Sequence, residues 1–173
     1  DGTGTDAGHV RVFSWNGSTW SQLGSDIYGK NANDLMGSSV SLDSDGNRVA
    51  IGSEYSDGNG ANSGDVQIYS WNGSSWTQLG SDIDGEAAGD RSGFSVSLNS
   101  DGDRVAIGAI YNDGGGSDAG HVRVFSWNGS SWTQLGSDID GEAAGDNSGN
   151  SVSMNSDGDR VAIGAVVNDG GGS

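Results

Sequence analysis

Apolar residues along this chain come in short bursts separated by Gly, Ser, Asn and Asp, and no stretch sustains helical spacing. In the middle of the chain Ser95–Leu98 is one burst, Arg104–Ala109 a second, His121–Trp127 a third and Trp132–Ile139 a fourth. Within the third, Val122 and Val124 fall on one face and Phe125 and Trp127 on the other, as in a strand with both faces covered. Asn99-Ser100-Asp101-Gly102 and Asn128-Gly129 separate these bursts and predict hairpins, because glycine accepts the positive φ of a tight turn. The Gly-rich segment 112–120 joins the second burst to the third, and 140–149 leads onward. The predicted unit is four short antiparallel strands.

The unit recurs. Ser-Trp-Asn-Gly-Ser begins at Ser14, Ser70 and Ser126, and Arg-Val-Ala-Ile-Gly at Arg48, Arg104 and Arg160, a period of 56 residues. Between 57–112 and 113–168 only 13 of the 56 positions differ. Four antiparallel strands with two apolar faces and glycine-rich joints describe a β-propeller blade, which buries its faces only against neighbours. A parallel β-helix has shorter rungs and few hairpins. The predicted fold is all-β, a propeller array over 1–173. It comprises a half blade at 1–30, complete blades at 39–83 and 95–139, and a half blade at 151–168. Three repeats fall short of the roughly four to eight blades of known propellers. Self-association is therefore predicted: a homodimer closing six blades, or a homotrimer closing nine, with Asp1–Thr5 and Asp169–Ser173 meeting at each seam.

Composition narrows the function classes. Glycine supplies 33 of 173 residues without a collagen period, there is no Pro, and six Trp accompany the turns. The formal net charge of −17 argues against nucleic acid and anionic membrane as partners, since phosphate contact needs clustered Lys and Arg. No Cys is present, so disulfide and thiolate chemistry are excluded. No apolar run approaches the roughly 20 residues of a spanning helix, and membrane insertion is not expected. The sequence opens inside a repeat, the expectation for a mature or excised segment.

Gly89-Asp90-Arg91-Ser92-Gly93-Phe94-Ser95-Val96-Ser97-Leu98, then Asp101–Ala109 and the stretch from Asn112 to Phe125, resemble the FG-GAP repeat of integrin α-chain-type propellers. The likeness recurs three times; only the middle unit carries Gly93-Phe94, where the others have Gly37-Ser38 and Gly149-Asn150, and the family's usual Pro is missing. The resemblance implies an extracellular or cell-surface adhesion module that binds protein or glycan ligands through blade-connecting loops. It also implies calcium as a cofactor. The family's acidic loop between the first two strands is here only 99–104, or 43–48 in the first unit, too short for the six to eight oxygens calcium prefers. The denser carboxylates are Asp82, Asp84, Glu86 and Asp90, repeated as Asp138, Asp140, Glu142 and Asp146; these are the candidate metal ligands. The first unit has Asp26, Tyr28, Lys30 and Asp34 instead, and a Lys among them argues against metal there.

Trp15/Trp20, Trp71/Trp76 and Trp127/Trp132 flank the Asn-Gly turns. Exposed, each pair is a platform for a sugar ring; buried, it is a packing layer between blades, the reading favoured here. Asn16-Gly17-Ser18 and its two copies match a glycosylation acceptor, but the turn alone explains them. His9 and His121 are the only neutral-pH bases, and no triad or nucleophile elbow is readable, so no enzyme is expected. The copies differ most at 31–38, 59–65 and 91–94, and variable loops on a constant scaffold are where binding resides. A purely structural repeat scaffold and a carbohydrate-processing propeller are the competing readings.

Overall fold

The computed structural model describes residues 4–170, and every regular element among them is a β-strand. In chain order these are β1 (His9–Val10), β2 (Phe13–Trp15), β3 (Trp20–Gln22), β4 (Ile27–Tyr28), β5 (Ser39–Leu42) and β6 (Arg48–Ser53). There follow β7 (Asp65–Trp71), β8 (Trp76–Gln78), β9 (Ile83–Asp84), β10 (Ser92–Leu98) and β11 (Arg104–Ala109). The chain ends with β12 (His121–Trp127), β13 (Trp132–Gln134), β14 (Ile139–Asp140), β15 (Ser148–Met154) and β16 (Val161–Ala165). All strand pairs are antiparallel.

Two sheets are complete, β5-β6-β7-β8 and β10-β11-β12-β13, with β9 and β14 pairing to β7 and β12. The predicted fourth strand, Trp132–Ile139, is in fact broken into β13 and β14. The chain bends between Gln134 and Ile139 and pairs again one stretch further along β12. The first strand begins earlier than expected, at Ser92, because a bulge between Ser92 and Ser95 carries it past Gly93. At the chain's start the predicted third strand, His9–Trp15, is split into β1 and β2. Among the described residues no strand flanks its other edge to span the break, as β6 and β11 do for β7 and β12. Likewise β16 begins at Val161, one residue later than its equivalent β11. The proposed seam of Asp1–Thr5 with Asp169–Ser173 lies largely outside the described residues.

The hairpins follow their turn residues. Gly46, Gly102 and Gly158 take φ of 67°, 65° and 66°, the conformation expected of each Asp-Gly. The Asn-Gly turns are wider. Trp15 pairs with Trp20 across a four-residue loop, and Asn16 Oδ1 accepts from the amides of Ser18 and Thr19 at 3.0 and 2.9 Å. The side-chain cap replaces a second positive φ, which only Gly17 adopts here.

The cores lie between repeats. β6 and β11 are covered on both faces: Ala50, Ile51, Val105 and Ala106 are fully buried. One apolar cluster joins Ile68 and Ile83 of the second unit to Val105, Ile107 and Phe125 of the third, and another joins Val12, Ile27 and Met36 to Val49 and Ile51. Along the inner edge β5, β10 and β15 run side by side, and Ser39 and Ser95 hydroxyls donate to the Gly93 and Gly149 carbonyls of the next unit at 2.7 and 2.6 Å. Gly93 holds a φ of 86° to present that carbonyl, and its neighbour Gly52 has no room for a side chain against it. That geometry explains why Gly recurs at 37, 93 and 149 while Phe94 gives way to Ser38 and Asn150.

The tryptophans staple adjacent units. Trp71–Trp76 and Trp127–Trp132 each stack tilted with ring centroids 5.5 Å apart. Trp76 Nε1 donates to the Leu23 carbonyl and Trp132 Nε1 to the Leu79 carbonyl, both at 2.8 Å. Trp15 and Trp20, with no preceding unit among the described residues, are 53% and 66% exposed. Trp132→Ala is expected to cost about 2–4 kcal/mol, the low end of core aromatic truncations because the ring is only half-buried. Trp132→Phe, which removes the indole donor and part of the ring's contact area but keeps an aromatic ring, is expected to cost less, about 1–2 kcal/mol. Urea melts of the two variants check the order; equal losses would mean that the hydrogen bond carries the staple.

Candidate functional site

The segments that vary most between copies are drawn together where one unit's closing linker meets the next unit's glycine-rich loop. Each linker is tied to the glycine-rich loop of its own unit, where the backbone amides of Gly89 and Arg91 donate to Ala61 and Asn62 carbonyls at 2.9 and 3.2 Å and those of Gly145 and Asn147 to Ser117 and Asp118 at 2.9 and 3.2 Å. The first of these linkers is tied to the next unit through the Tyr111 amide, which donates to the Asp90 carbonyl at 3.3 Å. Gly64 and Gly120 pass so close to Ser92 and Ser148 that a Cβ would strike their backbone. The result is a cleft of about 780 Å³ whose walls include Glu86, Arg91, Tyr111, Asp118, Asp138 and Asp140. Its lining is acidic and polar, with one cation. Arg91 lies between two rings, its guanidinium carbon 4.6 Å from the Tyr55 centroid and 5.0 Å from that of Tyr111, and its Nη1 is 3.8 Å from Glu54 Oε2.

The structure divides the eight expected metal ligands into groups with different tasks. Asp90 is buried and caps its own linker, accepting from the Ala87 amide at 3.0 Å and the Asn112 side chain at 2.9 Å. Asp146 does the same with Ala143 and Asn168 at 2.9 and 2.8 Å, and Asp34 with Asn31 at 3.2 Å. Asp82 and Asp138 accept from Gln78 and Gln134, both at 2.6 Å. Asp82 also takes Lys30, whose ammonium lies 2.7 Å from both carboxylate oxygens. Asp82 and Asp84 converge with Asp65, while Glu86 and Asp138 converge with His121. Asp140 lines the cleft, and Glu142 is exposed beyond the third unit. Sequence reasoning passed over Asp65 and His121 as partners of these acids, because each stands on a strand far from the linker in sequence. Their shared position, 56 residues apart at the head of β7 and β12, is the signal that points to them.

Both of these strand residues are buried, at 3% and 1% exposure. Burial pushes the Asp65 carboxyl up from 3.8 to about 6, with the Asp82 charge adding to it and the nearby Ser56 and Ser53 hydroxyls offsetting only part. Burial holds the His121 imidazole below its ordinary value, helped by the Arg123 guanidinium, against the pull of Asp138 and Glu86. Arg123, itself buried, donates from Nη2 to the Asp84 carbonyl at 2.8 Å and places Nη1 3.6 Å from Glu86 Oε1.

The six tryptophans lie away from this cleft. A smaller hollow of about 380 Å³ beside Trp132 is bounded by Gly80, Asp82, Asp84 and Arg123. Among the described residues no helix is long and apolar enough to cross a membrane.

These features define the class of protein first: an all-β stack of repeats whose polar loops gather between units. Residues 82–125 match the FG-GAP repeat. No curated protein matches the chain. Among solved structures the chain is similar to a Bacteroides uniformis protein assigned as a 6-phosphogluconolactonase, with a TM-score of 0.60 and 12% identity. The match covers 91% of this chain and 41% of that one, so the chain spans less than half of its neighbour's length. The likeness is one of fold.

The sign of the Asp65 effect follows from its raised value. Below pH 3.8 the carboxyl is protonated folded or unfolded and contributes no difference. Between there and about 6 the unfolded chain ionises first, so stability falls as pH rises; above about 6 the full penalty remains. Asp65→Asn is therefore expected to match the wild type at pH 3.5 and to exceed it by about 2–3 kcal/mol at pH 7.5. Denaturant melts at the two pH values check this; a difference independent of pH would show that Asp65 is charged at no cost.

Proposed function

We propose that the chain is a non-catalytic interaction module, a set of β-propeller blades that binds an extracellular or cell-surface ligand through its inter-unit loops. One observation carries the reading. Positions where the copies diverge, Asn62, Arg91 and Tyr111 among them, line the acidic cleft, while β6 and β11 differ only at Ser53/Ala109. Arg91, held between Tyr55 and Tyr111, is peculiar to the middle unit, where the other copies have Leu35 and Asn147. A planar cation held between rings and edged by carboxylates suits a ligand rich in hydroxyls, such as a neutral glycan or a polar peptide side chain. The FG-GAP match supports a propeller-type module without catalysis. The structural neighbour favours a second reading, a carbohydrate-processing propeller, through its fold and its assignment.

The same proposal includes self-association of the 173-residue chain. Beyond its pairing with β15, the outer edge of β16 is free among the described residues, as is the outer edge of β1 and β2, and the apolar surface beside them is exposed: Phe13 at 41%, Trp20 at 66%, Val166 at 65%. The β11–β12 register supplies the template, placing Val161 of one copy opposite Phe13 of the other, as Val105 stands opposite Phe125. Two copies then form six blades with two-fold symmetry, and three form nine.

Two measurements test the module. On an array of acidic and neutral glycans and matrix-protein peptides, the wild type is expected to bind a subset. The double variant R91N/Y111V is expected to lose that binding with little change in melting temperature. Binding unaffected by the variant removes the cleft from the reading, and turnover of a polysaccharide or sugar-lactone probe replaces it with the enzymatic one. Light scattering is expected to give twice the 17.5 kDa chain mass. Three times that mass supports the nine-bladed ring, and a stable folded monomer overturns the closure.

A further inference from the structure

Charge, burial and an unpaired ring nitrogen coincide where the second linker meets the third unit. His121 is 1% exposed, and its Nδ1 is fully buried without a hydrogen-bond partner among the described residues. That atom lies 3.9 Å from Glu86 Oε2. One ligand atom each from Glu86, His121 and Asp138 lies within 4.8 Å of the other two. A buried polar atom left without a partner loses its hydration for nothing, so the imidazole is held at a cost unless something meets it. Arg123 does not meet it, since its guanidinium is committed to the Asp84 carbonyl and to the other Glu86 oxygen, Oε1.

The first linker provides an internal comparison. Lys30 stands 56 residues before Glu86, and Asp82 stands 56 before Asp138. There the Lys30 ammonium sits on both Asp82 oxygens at 2.7 Å, so a cation already occupies that carboxylate. At the second linker the lysine has become Glu86, and Asp138 retains the Gln134 amide. The residue at the head of the facing strand changes in the same step, from Asp65 to His121. A built-in cation is exchanged for a third carboxylate-or-imidazole donor set around the same point.

We propose that Glu86, His121 and Asp138 bind one divalent first-row transition ion of the zinc class in the place that Lys30 fills one unit earlier. An imidazole with two carboxylates suits zinc, manganese or nickel, whereas calcium and magnesium take oxygen donors. The 3.9 Å between Glu86 Oε2 and His121 Nδ1 can be spanned by an ion bonded to each at about 2.0–2.1 Å. With Arg123 counted, Glu86 and Asp138 leave one negative charge over for the ion to neutralise. Glu86 and Asp138 also line the cleft, so the remaining coordination positions face solvent.

The test titrates zinc chloride into the full 173-residue chain by calorimetry at pH 7.5. His9→Gln is built into every sample, so that the exposed histidine takes no part. Saturable binding of one zinc per chain is expected, with a rise in melting temperature that millimolar calcium does not reproduce. Glu86→Lys, which installs the first linker's own solution, is expected to fold and to weaken zinc at least tenfold. Cobalt is expected to give visible absorption with the Glu86 chain and none with E86K. Absence of saturable zinc binding, equal binding by E86K, or an equal response to calcium each overturns the proposal.

Discussion

No sheet in this protein covers its own faces; each is buried only by the unit on either side, and everything else depends on that. Equivalent residues show it. Phe125, packed between the second and third units, is 8% exposed, whereas Phe13, with no preceding unit among the described residues, is 41% exposed. Ile27 and Ile83 are buried, and Ile139, with no complete unit after it among the described residues, is 40% exposed. At roughly 25 cal/mol for each Å² of apolar surface removed from water, such contacts make the interface between units the folding unit's main source of stability. The glycines, serines and tryptophans follow from it. Gly52 and Gly93 let inner edges approach, the serine hydroxyls satisfy the carbonyls that approach exposes, and Trp76 and Trp132 tie the outer edges together.

A repeat held together by its neighbours is free to vary where the units meet solvent. Lys30, Glu86 and Glu142 are one position in three settings, as are Asp65 and His121 facing it. The changes at the two positions are chemically coupled. With Lys30 present, the carboxylates of Asp82 and Asp84 have a cation beside them, and Asp65 is buried as a third acid at the expense of a raised carboxyl. With Glu86 present, the facing strand carries His121 and Arg123. Near-identical backbones thus present two different electrostatic environments about one unit apart. This is how a repeat array acquires specificity without altering its scaffold.

The four-stranded unit, its period and its hairpins were readable from the sequence, because strand alternation, Asp-Gly turns and repetition are local or periodic properties. The all-β architecture and the FG-GAP likeness followed from them. Strand continuity was less readable. The break between β13 and β14, and the bulge at Ser92, are set by how the chain must bend to pair with strands already in place. Counting carboxylates along the linker grouped Asp90 and Asp146 with Asp82 and Asp138, although the first two are spent capping loops.

What the sequence determined alone was therefore the repeating element and the list of residues with chemistry to offer. Only the tertiary structure decided which of them meet. His121 and Glu86 are 35 positions apart, and Asp138 lies 17 beyond His121 in a further strand region. No local pattern links them, because their proximity is created by stacking one unit's linker against the next unit's third strand. The physical reason is the one that governs the fold. Side chains within a unit are placed by backbone period, whereas side chains between units are placed by the burial that drives units together.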